Sequence, residues 1–116
     1  MSHSILIIGC GSIGERHLRC LLKTGRSAVT ACDISGLLRR RMSETYGVPT
    51  QENWEQAIAT GKFDAVVIAT PAPWHIPMTV RALDVGLHVL VEKPLSHSLA
   101  GVDDLLRRHQ RSGCQV

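Results

Sequence analysis

The spacing of apolar residues changes repeatedly along the chain, and each change marks an element. Ile5–Ile8 is a continuous apolar run, as expected for a strand buried on both faces of a parallel sheet. Ile13, His17 and Leu21 then recur at helical spacing. "SAVTACD" (Ser27–Asp33) reads as a second strand. Ser35 is placed to cap a helix from Gly36 to Tyr46 that Gly47 ends. "VPT" (48–50) is at most a short third strand, and Asn53 with Gln56 has the form of a capping box for a helix through Ala59. "DAVVIAT" (Asp64–Thr70) is the clearest strand. Pro73 and Pro77 confine the next helix start to the neighbourhood of His75, because proline is tolerated only in a first turn, and Gly86 ends that helix. "LHVLVE" (Leu87–Glu92) is a fifth strand. Ser98 is expected to cap a last helix to Arg111, with Gly101 inside it at a cost of about 1 kcal/mol. "GCQV" (Gly113–Val116) looks like the opening of a sixth strand, so the 116 residues are expected to be one domain of a longer protein. Strands alternating with helices of this length predict an α/β fold with a doubly wound parallel sheet.

Three glycines stand where the first strand becomes the first helix, although glycine weakens both elements. Gly9-Cys10-Gly11-Ser12-Ile13-Gly14 fits G-x-G-x-x-G in its proper setting. Gly9 allows a tight turn, Gly11 lets a pyrophosphate approach the backbone, and Gly14 lets the helix pack closely on the sheet. The free N–H groups of the helix start, at Ser12, Ile13 and Gly14, then face the anion. Asp33 follows about twenty positions later at the end of the second strand, where a carboxylate accepts hydrogen bonds from the adenosine ribose. The motif therefore predicts a Rossmann fold that binds NAD(P). The plain alternative is a structural βα turn with Asp33 as a local cap. Asp33 would also suit the ribose of FAD or S-adenosylmethionine. A carboxylate there disfavours a 2′-phosphate by roughly 1–2 kcal/mol, which favours NAD over NADP. The Arg39-Arg40-Arg41 run could oppose this, but it falls inside a helix and reads as a solvated face.

"ATPAPWH" (Ala69–His75) and "EKP" (Glu92–Pro94) each follow a strand at its carboxyl end, where open α/β sheets bind ligands. Together, "GCGSIGERHL", "DAVVIATPAPWH" and "GLHVLVEKPLS" resemble the glucose–fructose oxidoreductase, inositol dehydrogenase and rhizopine-catabolism family, Gfo/Idh/MocA. That resemblance covers nearly the whole chain. It implies that Thr70, Pro71 and His75 lie along the nicotinamide side of the cofactor. It further implies that Glu92, Lys93 and Pro94 are the signature motif, with a cis bond before Pro94 and Lys93 facing nicotinamide and substrate hydroxyl. Family members oxidise or reduce sugars, cyclitols and related compounds with the help of a second α/β domain. That substrate domain lies outside these residues, so the fragment alone is expected to be inactive. Lysine ordinarily titrates near 10.4, so Lys93 either acts as a base under the influence of a positively charged nicotinamide or stays protonated and polarises an oxygen. A non-catalytic module that senses dinucleotide is the alternative, and the intact EKP argues against it. Trp74 could stack on a ring or cover the core edge, while His17, His88, His97 and His109 read as ordinary surface or packing residues.

Composition adds mainly exclusions. A net charge of +3 with scattered basic residues does not suggest nucleic acid or a membrane surface. The start, "MSHSILIIG", enters a strand directly and leaves no room for a signal peptide. Four cysteines without a CxxC pair read as reduced thiols, so a cytoplasmic location and no metal are expected. Surface left bare by the second domain makes a homo-oligomer the expected assembly.

Overall fold

A computed structural model describes residues 2–116. The elements are β1 (His3–Ile8), α1 (Ser12–Thr24), β2 (Ser27–Cys32), α2 (Gly36–Tyr46), β3 (Thr50–Gln51), α3 (Trp54–Ala59), β4 (Ala65–Ile68), a 3₁₀ turn (Ala72–Trp74), α4 (His75–Asp84), β5 (His88–Val91) and α5 (Val102–Ser112). The strands form one parallel sheet in the order β3-β2-β1-β4-β5. The chain thus winds outward from β1 in one direction, then returns to add β4 and β5 on the other side. This reversal leaves a crevice at the carboxyl ends of β1 and β4.

Side chains alternate across the sheet and build two cores. Ile7, Val29, Ala31 and Val67 pack with Leu18 of α1 and Met42 of α2 on one face. Leu6, Ile8, Val66, Ile68 and Val89 pack with Ile58, Leu83 and Leu105 of α3, α4 and α5 on the other. Both faces of the central strands are therefore covered, which is why Ile5–Ile8 reads as an unbroken apolar run. Arg108 adds a polar tie between two helices, donating to Asp84 at 2.6 Å and to Asp104 at 2.9 Å.

The predicted caps hold at α2 and α3. Ser35 Oγ accepts from the Leu38 amide, Gly47 turns left-handed after α2, and Asn53 Oδ1 accepts from the Gln56 amide. The last helix differs from its expected start. Gly101 has a φ of 82° and stands before α5 rather than inside it. A helix cannot run through that conformation, and Ser98 Oγ instead accepts from the Ala100 amide in a local turn. The expected sixth strand is not formed as an element, yet the Val89 amide donates to the Gln115 carbonyl at 2.9 Å. Among the described residues, no helix is long and apolar enough to cross a membrane.

The first βα unit closes with almost no clearance. A Cβ on Gly14 would stand 1.7 Å from the Gly9 carbonyl oxygen, whereas a Cβ on Gly11 would meet nothing within 4 Å. Gly14→Ala should therefore lose about 3 kcal/mol of stability or more, by forcing α1 off the sheet. Gly11→Ala should stay within about 1 kcal/mol of the parent. Urea unfolding of the two variants checks the contrast.

Candidate functional site

The start of α1 is the first half of the site. Its cap residue, Gly11, offers no side chain, and no side chain caps the helix as Ser35 and Asn53 cap α2 and α3. The first helical bond runs from the Glu15 amide to the Gly11 carbonyl, so the amides of Ser12, Ile13 and Gly14 precede the ladder. Those three donors and the helix dipole meet at the open space beside Gly11, a fit for an anionic group such as a pyrophosphate. Gly9, at a φ of 96°, brings the loop against the Ala69 carbonyl at the exit of β4, where a Cβ would stand 2.6 Å from the oxygen.

Asp33 ties this loop to the next. Its Oδ2 accepts from the Cys10 amide and its Oδ1 from the Ser35 amide, each at 2.8 Å. Each oxygen keeps further acceptor capacity for ribose hydroxyls. Arg39 is not part of a solvated face: its Nη1 donates to the carbonyls of Asp33 (2.8 Å) and Ile34 (3.1 Å), while Arg40 and Arg41 are exposed. The run thus divides into one residue that fixes the β2–α2 turn and two that face water. A cleft of about 430 Å³ opens between Gly9, Asp33 and Ile34 on one side and Thr70, Pro71 and Trp74 on the other. Glu52 and Trp54 also line it, so both tryptophans of the chain face the same space. Neither Glu52 nor Trp54 carries a local signal, since their place in the cleft follows from the position of β3 at the sheet edge.

The second half of the site lies at the exits of β4 and β5. The bond between Lys93 and Pro94 is cis, as the resemblance implies. His75 is only 2% exposed, and it presents no free nitrogen to the cleft. Its Nε2 stands 2.6 Å from the Thr70 carbonyl oxygen and its Nδ1 2.7 Å from the Pro94 carbonyl oxygen. Both acceptors are carbonyls, so the ring makes both bonds only when doubly protonated, and keeps one when neutral. His75 thus joins the Thr70-Pro71 loop to the Glu92–Pro94 turn. Glu92 is also engaged: His17 of α1 donates from Nε2 to Glu92 Oε1 at 2.5 Å. That bond holds the Glu92 carboxyl below the usual carboxylate range. His17 lies 75 positions away in the chain, so its sequence neighbourhood carries no sign of the pairing. Lys93 itself is exposed, and none of Glu92, Lys93 and Pro94 lines the cleft.

Two thiols lie under the glycine loop. Burial, and next the charge of Asp33, push Cys10 up to about 12 and Cys32 up to about 11. At pH 8 a thiol at about 12 is ionised to roughly one part in ten thousand, so it is a poor nucleophile. A maleimide at pH 8 should label the exposed Cys20 at least about a hundredfold faster than Cys10 or Cys32, read by peptide mass mapping.

Comparison with known proteins agrees with this geometry. The Gfo/Idh/MocA family, described as "Oxidoreductase family, NAD-binding Rossmann fold", matches residues 3–116. An inositol 2-dehydrogenase/D-chiro-inositol 3-dehydrogenase of Shouchella clausii is 34% identical over 105 residues, covering 87% of this chain and 30% of that protein. The crystal structure of myo-inositol 2-dehydrogenase from Lactobacillus plantarum superposes with a TM-score of 0.92 at 31% identity, covering all of this chain and 35% of that one. Biliverdin reductase from Synechocystis, solved with biliverdin and NADP+, superposes at 0.90 with 26% identity, over 97% of this chain and 36% of that one. The chain therefore spans about a third of the length of the relatives it matches. A match over residues 3–116, together with an uncapped helix start behind G-x-G-x-x-G and a carboxylate after β2 tied to that loop, leads to one conclusion: this chain is an NAD-binding Rossmann domain of the Gfo/Idh/MocA oxidoreductase family.

Proposed function

We propose that the protein carrying this domain is an NAD-dependent dehydrogenase acting on a sugar, a cyclitol or a related polyhydroxylated substrate. The observation that carries the reading is the cleft shared by the glycine loop, Asp33 and the Thr70-Pro71 segment. His75 places the Glu92–Pro94 turn beside that segment, its two ring nitrogens standing against the Thr70 and Pro94 carbonyls. The inositol dehydrogenases among the relatives support the substrate class.

The chain's own residues divide the work. The amides of Ser12, Ile13 and Gly14 bind the pyrophosphate, and Asp33 binds the adenosine ribose. Thr70 and Pro71 flank the nicotinamide side, and Ile34, Trp54 and Trp74 offer apolar surface for the adenine end of the cleft. Bound NAD supplies the acceptor or donor of a hydride. Lys93 faces the substrate oxygen, either accepting the hydroxyl proton as the carbon is oxidised or holding the oxygen by a charged hydrogen bond. Substrate must also be held within about 3–3.5 Å of the reacting carbon, and such positioning is worth up to ~7–11 kcal/mol of barrier. Residues 1–116 provide one wall of that site, and a second domain is assigned the other. The exposed Leu90, Leu99 and Leu106 give the domain apolar surface for that domain or for another copy of the chain.

Asp33→Ala should weaken NAD binding by roughly 1–3 kcal/mol, the loss of hydrogen bonds to the ribose, and weaken NADP less or strengthen it. Titration calorimetry with both cofactors checks this, and equal losses would remove Asp33 from the ribose. Because both tryptophans line the cleft, quenching of intrinsic fluorescence should follow the same titration. In the same preparation, residues 1–116 should reduce no NAD with a panel of sugars and cyclitols. Turnover by the domain alone would overturn the need for a second domain.

A further inference from the structure

The turn that carries Lys93 is held from both faces of the sheet. His75 comes from α4, which packs with Ile68 and Val89 on one face, and its Nδ1 stands 2.7 Å from the Pro94 carbonyl oxygen. His17 comes from α1, which packs on the opposite face against Ile7 and Val67, and donates to the Glu92 carboxylate. Lys93 stands between the two anchored residues. The Glu92 amide adds one main-chain tie, donating to the Ile68 carbonyl at 3.0 Å. Beyond Pro94 the chain makes only local turns until α5 begins.

We propose that His17 is a positioning residue for Lys93: through Glu92 it fixes the turn, and so sets where the lysine amine stands beside the nicotinamide. This rests on the role given to Lys93 above. The pairing is not explained by folding need alone. His17 is about a quarter exposed, with side-chain exposures of 28% for His17 and 29% for Glu92, so either side chain could be hydrated separately. A partly exposed pair adds little to stability, and its directional consequence is to restrict the Glu92 side chain and the backbone on which Lys93 follows. His17 also places α1 and the Lys93 turn in direct contact. The helix whose amides face the pyrophosphate thereby bears on the residue that faces the reacting end.

His17→Phe removes the donor, and His17→Gln keeps an N–H at similar reach. Three readouts separate positioning from general damage. In the ligand-free domain, carbon NMR of the Glu92 carboxyl should show its titration moving up toward the ordinary carboxylate range in His17→Phe and returning toward the parent in His17→Gln. With NADH bound, the emission of the reduced nicotinamide should change in His17→Phe and in Lys93→Met. The double variant should change it no more than the larger single effect, because one residue acts through the other. ADP-ribose affinity should stay within about twofold in every variant. Additive effects on emission would overturn the proposal, as would a His17→Phe domain with parental emission and parental Glu92 titration. A fall in ADP-ribose affinity in His17→Phe would place His17 on the pyrophosphate instead, and would also overturn it. If the parent domain bound neither NADH nor ADP-ribose, the nucleotide reading itself would fall, and the assignment of Lys93 with it.

Discussion

The carbonyl of Gly9 and the Cα of Gly14 approach so closely that no side chain fits between them, and the ligand-facing edge is built on that contact. It closes α1 onto the end of β1 within a single turn. The unpaired amides of Ser12–Gly14 are thereby fixed above the carboxyl end of the sheet rather than left at the end of a free helix. Gly9 in turn leans on the Ala69 carbonyl, so the exit of β4 is held in register with the glycine loop. Two backbone contacts thus bring together the segments that would hold the two ends of a dinucleotide.

The sheet hydrogen bonds end at the first residue of each loop, with the amides of Gly9, Ala69 and Glu92 donating to Cys32, Ile8 and Ile68 of the neighbouring strands. Side chains span the gaps instead. Asp33 joins the glycine loop to the β2–α2 turn, His75 joins the exits of β4 and β5, and His17 reaches Glu92 from α1. Asp33 and His75 each present two polar atoms, which suits the joining of two separate backbones, whereas His17 meets the Glu92 side chain through one nitrogen. Asp33 is a structural tie whose carboxylate has more acceptor sites than its two amide partners use.

The sheet is covered unevenly toward β5. Val89 is buried under α4 and α5, while Leu90, on the opposite face, is about half exposed, because α1 and α2 cover the strands nearer β2. The Gln115 carbonyl pairs with the free edge of β5 at the Val89 amide. This side of the domain therefore has both an apolar face and a strand edge for further chain to meet.

Local chemistry in the sequence determined most of the architecture. Buried apolar runs, the Ser35 and Asn53 caps, the proline limits on α4 and the glycine motif each act within a few residues, so they identify elements and the βα turn without knowledge of the rest. Gly101 misled for the same reason: glycine is compatible both with a costly helix interior and with a left-handed turn, and only packing against Ile76 and the rest of α4 decided between them. The long-range partners were decided by the tertiary structure alone. Nothing near His17 distinguishes it from a packing histidine, nothing near Arg39 separates it from Arg40 and Arg41, and Trp54 enters the cleft only because β3 lies at the sheet edge. The physical reason is that hydrogen bonds and burial depend on which atoms meet in space, and in a doubly wound sheet the atoms that meet at the crevice come from loops far apart in the chain.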